Sequence, residues 1–261
     1  MCILGLSNNS ITNEGFKMKL LDTTGGNTKL KKSAAHSQYL PDLDVRIAGL
    51  SMAPDDILCP SRHIAECAAP CITGSGRGSF PNVQAARKAK SDWYHSDRAG
   101  FIVQLKQELT NFSKLCTRTA VVGYVRLNVF SDIPWELSRN GSIPQAFPEL
   151  EFFDYTKLAV RLGTRYYKMP RNYQLMFSYS AGPKYAKQVK LAMKSPAPMS
   201  VVFDGPMPDI FLGRKVINGD ESDINNLRHR GAIVGLRFKQ NRIAPVDPKT
   251  SALIINTREV I

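Results

Sequence analysis

Apolar residues fall in short bursts separated by mixed and polar stretches. Val45–Met52, Ala120–Val129 (AVVGYVRLNV) and Glu151–Tyr155 (EFFDY) are three of these bursts. Tyr173–Tyr179 (YQLMFSY), Met199–Phe203 (MSVVF) and Ala232–Phe238 (AIVGLRF) are three more. Each is too short for a helix of ordinary length, so each reads as a buried strand. Between the first two the period changes. Phe101, Leu105, Leu109, Phe112 and Cys116 repeat at helical spacing and share one face. Asn82 is a candidate cap for a helix starting near Val83. A further helix is expected over Lys184–Met193, and a short one over Ser222–Arg228.

About six strands separated by helical or long connections predict an α/β fold with a parallel sheet. The expected architecture is a partial (β/α) barrel, TIM-barrel-like, or an open parallel sheet. Residues 1–45 read as a loosely organised N-terminal extension, with turn-rich Thr23–Thr28 and a break at Pro41-Asp42. Residues 46–261 read as a single α/β domain.

Composition adds two constraints. No stretch approaches eighteen apolar residues, so no membrane span is expected, and the short apolar N-terminus lacks a signal-peptide pattern. The net charge is +13 over 261 residues. That excess points to nucleic acid or another polyanion as a partner, or to a solvated basic surface.

The five cysteines are Cys2, Cys59, Cys67, Cys71 and Cys116. An odd count without a secretory signal argues against a disulfide scaffold. Three of them crowd into Cys59-x7-Cys67-x3-Cys71, in the loop expected after the first strand. Thiolates suit iron–sulfur clusters and zinc. Three thiolates leave one coordination position open, as in a cluster with an exchangeable iron. His63, four residues from both Cys59 and Cys67, offers a Cys3His zinc site as the alternative. Cys116 falls on the apolar helix face and reads as a core thiol.

Gly74-Ser75-Gly76-Arg77-Gly78 follows the last of these cysteines. It is either a backbone cradle for a phosphate or cofactor, with Arg77 adding charge, or a turn into the next helix. Polar residues recur at the ends of the expected strands: Arg126, Asn128, Asp132, Asp154, Lys157 and Arg237. Sites in parallel α/β folds lie beyond the carboxyl ends of the strands, so these residues are candidates for a shared pocket. Arg126 and Asn128, two apart, are expected on one side of one strand. Arg87, Lys88 and Lys90 near Trp93 and Tyr94 form a basic segment that could engage nucleic acid. No Ser–His–Asp arrangement, Walker loop or HExxH motif is present.

Several separated motifs are similar to the actinobacteriophage "gene product 88" family. They are Cys59-Pro60 through Cys67 and Cys71, Gly76-Arg77-Gly78, Phe80–Arg87 and Arg126-Leu127-Asn128. Ser131–Glu136, Asp154–Lys157, Phe177–Ser180 and Gly219-Asp220 complete the set, over about residues 46–240. The resemblance implies a phage origin, a host-cytoplasm location and Cys59, Cys67 and Cys71 as cofactor ligands. The layout also resembles radical S-adenosylmethionine enzymes, in which a three-cysteine loop follows the first strand of a partial barrel. That likeness implies a 4Fe–4S or 3Fe–4S cluster, with S-adenosylmethionine as a second cofactor. The spacing here departs from the CxxxCxxC of those enzymes. The expected function is thus a phage-encoded iron–sulfur protein of unassigned reaction. The alternative is a basic nucleic-acid-binding or host-takeover protein with structural zinc, its partner a nucleic acid or a host protein.

Overall fold

The computed structural model describes residues 18–23, 44–137, 142–163 and 169–257. Cys2 and most of the expected N-terminal extension lie outside these. Among the described residues, all six expected strands form: β2 (Val45–Leu50), β3 (Val122–Arg126), β4 (Glu151–Thr156), β5 (Tyr173–Ser178), β6 (Met199–Asp204) and β9 (Ile233–Arg237). They are parallel and lie side by side in chain order.

The strand count is higher than six. β1 (Leu21–Asp22) pairs antiparallel with β2, and β8 (Arg214–Asn218) pairs parallel with β9. β7 (Ile210–Phe211) pairs antiparallel with β8, and β10 (Ile254–Asn256) pairs parallel with β6. The sheet is open, so the open-sheet form of the expectation holds and no closed barrel forms.

The additional strands are short or peripheral. β8 (RKVIN) is only half-buried, so it lacks the continuous apolar run that marks a parallel core strand. The turn between β7 and β8 holds Leu212 at φ 49° and Gly213 at φ 72°. Two successive positive φ values give the primed hairpin turn, but Leu-Gly lacks the Asn or Asp that usually announces it.

β6 is shared. β5 pairs its first half (Phe177 with Met199, Ser178 with Ser200), and β10 pairs its second half (Ile254 with Val202 through Asn256 with Asp204). The chain leaving β5 turns aside there: the Ala181 amide donates to Ala252 O at 2.8 Å.

Both faces of the sheet are covered, which explains the near-continuous apolar strands. One face carries Ala48, Leu50, Val125 and Phe152. It packs on α1 (Pro81–Ser96) and α2 (Arg98–Arg118) through Tyr94, Phe101, Leu105, Leu109, Phe112 and Cys116. Burying each such side chain contributes roughly 1.5–3 kcal/mol. Asp97 caps α2, accepting the Gly100 amide at 2.9 Å. α1 starts earlier than expected, because Pro81 occupies its first turn. Asn82 is therefore inside α1 rather than its cap, with Oδ1 accepting only the Val83 amide.

α3 (Ile143–Ala146) is a single turn between β3 and β4. α4 (Ala186–Ala192), preceded by a 3-10 turn at Pro183–Tyr185, covers the sheet at Phe177, Val201 and Phe203. The Tyr185 ring stacks on Phe177 at 5.7 Å. The opposite face, Ile47, Tyr124, Phe153, Met176 and Val234, is covered by Ile224 and Leu227 of α5 (Asp223–Asn226) and its C-cap.

Candidate thiol site at the carboxyl ends of the strands

The loop after β2 carries Cys59, Cys67 and Cys71, all free and half-buried. Its first turn is an Asx turn: Asp55 Oδ1 accepts the amides of Ile57 and Leu58 at 2.9 and 2.8 Å. Cys59 Sγ then donates to Phe130 O at 3.2 Å, beyond the end of β3. Cys67 packs among the apolar residues under α4. Cys71 O accepts from Asn241 Nδ2 at 2.9 Å, beyond the end of β9. One loop thus sets its three cysteines beside the carboxyl ends of several strands.

The thiols are near enough to feel one another's charge. Burial pushes the Cys59 thiol up, and the Asp132 carboxylate, Cys71 and Cys67 push it further. Burial also raises Cys67, opposed by the Lys157 ammonium and reinforced by Cys71. Burial brings Lys157 down to about 8, while Cys67, Asp132 and Cys71 hold its charge in place. Its Nζ donates to Tyr179 O at 3.0 Å. Burial likewise lowers Arg87, opposed by Cys71. Two cations therefore flank the thiols, of which Cys59 and Cys67 favour the protonated state, so loading a metal there must release protons.

Beneath Lys157 lies a buried polar network. Asp132 Oδ2 accepts the Lys157 amide, and its Oδ1 is bonded to Arg161 Nη1. The Arg161 fork also engages both oxygens of Glu136, at 2.7 and 2.9 Å, and the Tyr173 hydroxyl at 3.2 Å. Burial works against the Arg161 charge, but Tyr173, Asp132 and Glu136 outweigh it and keep the guanidinium charged. Asp154 accepts from the Tyr173 hydroxyl at 2.8 Å and from the Asn128 amide at 2.7 Å. Burial carries it up to about 7, with Arg126 the chief opposing charge. Asn128 is saturated by Ser131, Ile133 and Trp135 as well as Asp154.

The expected pocket residues consequently divide. Lys157 faces the thiols, and the charge of Asp132 reaches Cys59. Asn128 and Asp154 are spent on the internal network. Arg126 lies on the opposite face, bonded to Asp223 at 2.8 Å and stacked 4.6 Å from the Tyr155 ring. It does not share a side with Asn128, because β3 ends at Arg126 and the two-residue alternation stops there. Arg77 is exposed, and the Arg237 side chain is 77% exposed beside Asp220. Neither contacts the thiol loop's cysteines among the described residues.

The glycine-rich run folds as two 3-10 turns, Ile72–Gly74 and Gly76–Ser79, leading into α1. The amides of Ser75, Gly78 and Phe80 are consumed inside these turns. Gln84 Nε2 and Arg87 Nη1 bind Thr73 O at 2.9 and 2.6 Å. Its backbone is therefore organised as a packed turn rather than as a row of donors for a phosphate. His63 is exposed and pairs with Asp56 at 2.7 Å. Among the described residues no group of three His, Cys, Asp or Glu side chains is close enough to hold a single metal ion.

Arg161, Tyr173 and Tyr185 were not anticipated. An arginine inside Leu158-Ala159-Val160-Arg161-Leu162 was the available signal: a charge within an apolar stretch requires buried partners.

No curated protein and no solved structure matches the chain. A family profile, Gene product 88, matches residues 18–255, which runs from before β1 into β10. The match covers most of the chain and the whole thiol site, and the chain accordingly belongs to the Gene product 88 family, a phage gene-product family.

Proposed function

We propose that the chain is an iron–sulfur protein in which Cys59, Cys67 and Cys71 hold a 4Fe–4S or 3Fe–4S cluster with one iron open. The observation that supports this reading is the mutual electrostatic influence of the three thiols, with Lys157 and Arg87 beside them. A cluster bound through three thiolates is anionic, and two half-buried cations suit it. A cluster also attaches its cysteines to different irons. It therefore tolerates a wider spacing than the roughly 2.3 Å bonds of a single zinc would allow. The sequential parallel strands, with the ligand loop after β2, fit a radical-enzyme-like partial barrel.

When bound, such a cluster supplies one-electron chemistry and a Lewis-acidic iron. The chain's own residues do the rest. Lys157 presents its cation to the thiols, and Tyr179 O fixes its direction. Asp132 holds the Lys157 backbone, and Arg161 with Glu136 holds Asp132. For S-adenosylmethionine the fit is poor. Arg126, Asn128 and Asp154 are engaged internally, and Ile224 and Leu227 cover the face opposite α2. No step is assigned to that cofactor.

Anaerobic purification tests the proposal. The expected result is a brown protein with stoichiometric iron and sulfide. A colourless protein containing only zinc would overturn it. It would favour the second reading, a basic nucleic-acid-binding protein with a structural metal, which rests on the +13 charge.

A further inference from the structure

Two segments meet on the surface beside Cys71. The first, residues 71–80, runs from that cysteine to the start of α1. The second, residues 237–246, leaves the carboxyl end of β9. The Arg242 amide donates to Gly74 O at 2.9 Å. Ser75 Oγ donates to Lys239 O and Gln240 O, at 3.2 and 3.0 Å. Asn241, buried between them, donates to Cys71 O. Gly74 is required here, because a Cβ would run into the Asn241 side chain.

This double strip is chemically one-sided. It contains one Arg in the first segment and three Lys or Arg in the second, with no Asp or Glu in either. Arg77 and Arg242 are exposed and form no ion pair among the described residues. Lys239 and Arg237 share the single carboxylate of Asp220, at 3.7 and 3.9 Å. The same two segments expose apolar residues: Ile72 at 45%, Phe80 at 51% and Ile243 at 56%. Exposed apolar residues interspersed along the chain with mostly cationic charges suit a protein-docking surface, and the sign selects the partner. Two of the three exposed apolar residues are aliphatic. A single-strand nucleic-acid surface would instead offer a series of aromatic stacking platforms.

We infer that this strip docks an acidic electron-carrier protein, which exchanges one electron with the cluster proposed behind Cys71. The inference rests on that cluster reading. The transfer moves one electron from the carrier's reduced centre to the cluster. The carrier is oxidised by one electron, the cluster is reduced by one, and no bond or proton moves.

The test uses the brown, cluster-loaded protein and an acidic [2Fe–2S] ferredoxin as the probe. Binding is measured by calorimetry, and electron transfer by anaerobic stopped-flow, at low salt and at about 0.15 M salt. Iron is determined on every sample. Wild-type binding should weaken as salt rises. Arg77→Glu combined with Arg242→Glu should weaken it by about tenfold or more at low salt and slow the transfer in parallel. Phe80→Ser should weaken binding without altering its salt dependence. Absence of low-salt binding, or binding indifferent to the charge reversals, overturns the inference while the cluster stands. So does a strip that binds a DNA oligonucleotide and loses it on charge reversal while ferredoxin binding is unchanged. A protein that never acquires iron and sulfide overturns both readings, and the colour and iron analysis distinguishes that case.

Discussion

The backbone amide of Lys157 donates to Asp132 Oδ2 at 2.8 Å, joining the chain beyond β3 to the chain beyond β4. The other oxygen of Asp132 is bonded to Arg161, and the Asp132 amide donates to Leu58 O at 2.7 Å, next to Cys59. One carboxylate thus links the Cys59 loop to the cation that faces the thiols. Arg161 is 1% exposed. Removing it leaves Asp132 and Glu136 as uncompensated buried charges. Arg161→Met is expected to cost about 3–5 kcal/mol, read from urea unfolding, and to lower iron uptake. Asp132→Asn should act in the same direction.

Cys59→Ser, Cys67→Ser and Cys71→Ser should each reduce bound iron and sulfide severely. Cys116→Ser should not, because Cys116, on the buried face of α2, lies in the core against Gly123, away from the loop. Its effect should be a loss of about 1–3 kcal/mol from burying a hydroxyl. Iron and sulfide assays on the four variants, with their unfolding midpoints, separate the two roles.

Asp154 provides a pH signature. Its carboxyl sits near 7 in the fold, against an ordinary value of 3.8. Folded protein therefore keeps a proton that the unfolded chain has released between those values. The stabilisation is complete below pH 3.8 and is lost as the pH rises through about 7. Asp132, also raised by burial, works in the same direction. Stability should fall on the order of a few kcal/mol across this window from Asp154. Asp154→Asn should flatten the slope in urea titrations at a series of pH values.

Gly123 lies under α2 in β3. A Cβ there would come within 2.6 Å of Leu150 Cδ2 and 2.9 Å of Cys116 Sγ. Gly123→Ala is expected to cost about 1–3 kcal/mol by overpacking, seen as a lower thermal midpoint without change in iron content.

The strands that could be read in advance are those buried on both faces. Phe152 and Phe153, adjacent in β4, point to opposite cores, and such runs announce themselves. β10 (IIN) and β7 (IF) are too short to make a pattern, and their pairing depends on partners distant in the chain. The cysteine spacing was visible because it is local. The fates of Asn128 and Arg126 were not. Where β3 ends decides their orientation, and the last ladder bond decides that. Arg161 shows the same limit: its four partners are Asp132 and Glu136 from the connection after β3, Thr156 of β4 and Tyr173 of β5.

The forked pairing of β6 bears on how the chain assembles. β2 through β6 each pair with the strand just before them, so this part of the sheet can grow in chain order as the polypeptide leaves the ribosome. The second half of β6 must wait for Ile254–Asn256, some fifty residues downstream. Until then Val202–Asp204 presents an open backbone edge at mid-sheet, where a second nascent chain could add a strand. The interval between synthesis of β6 and of β10 is thus one in which this edge is open to aggregation.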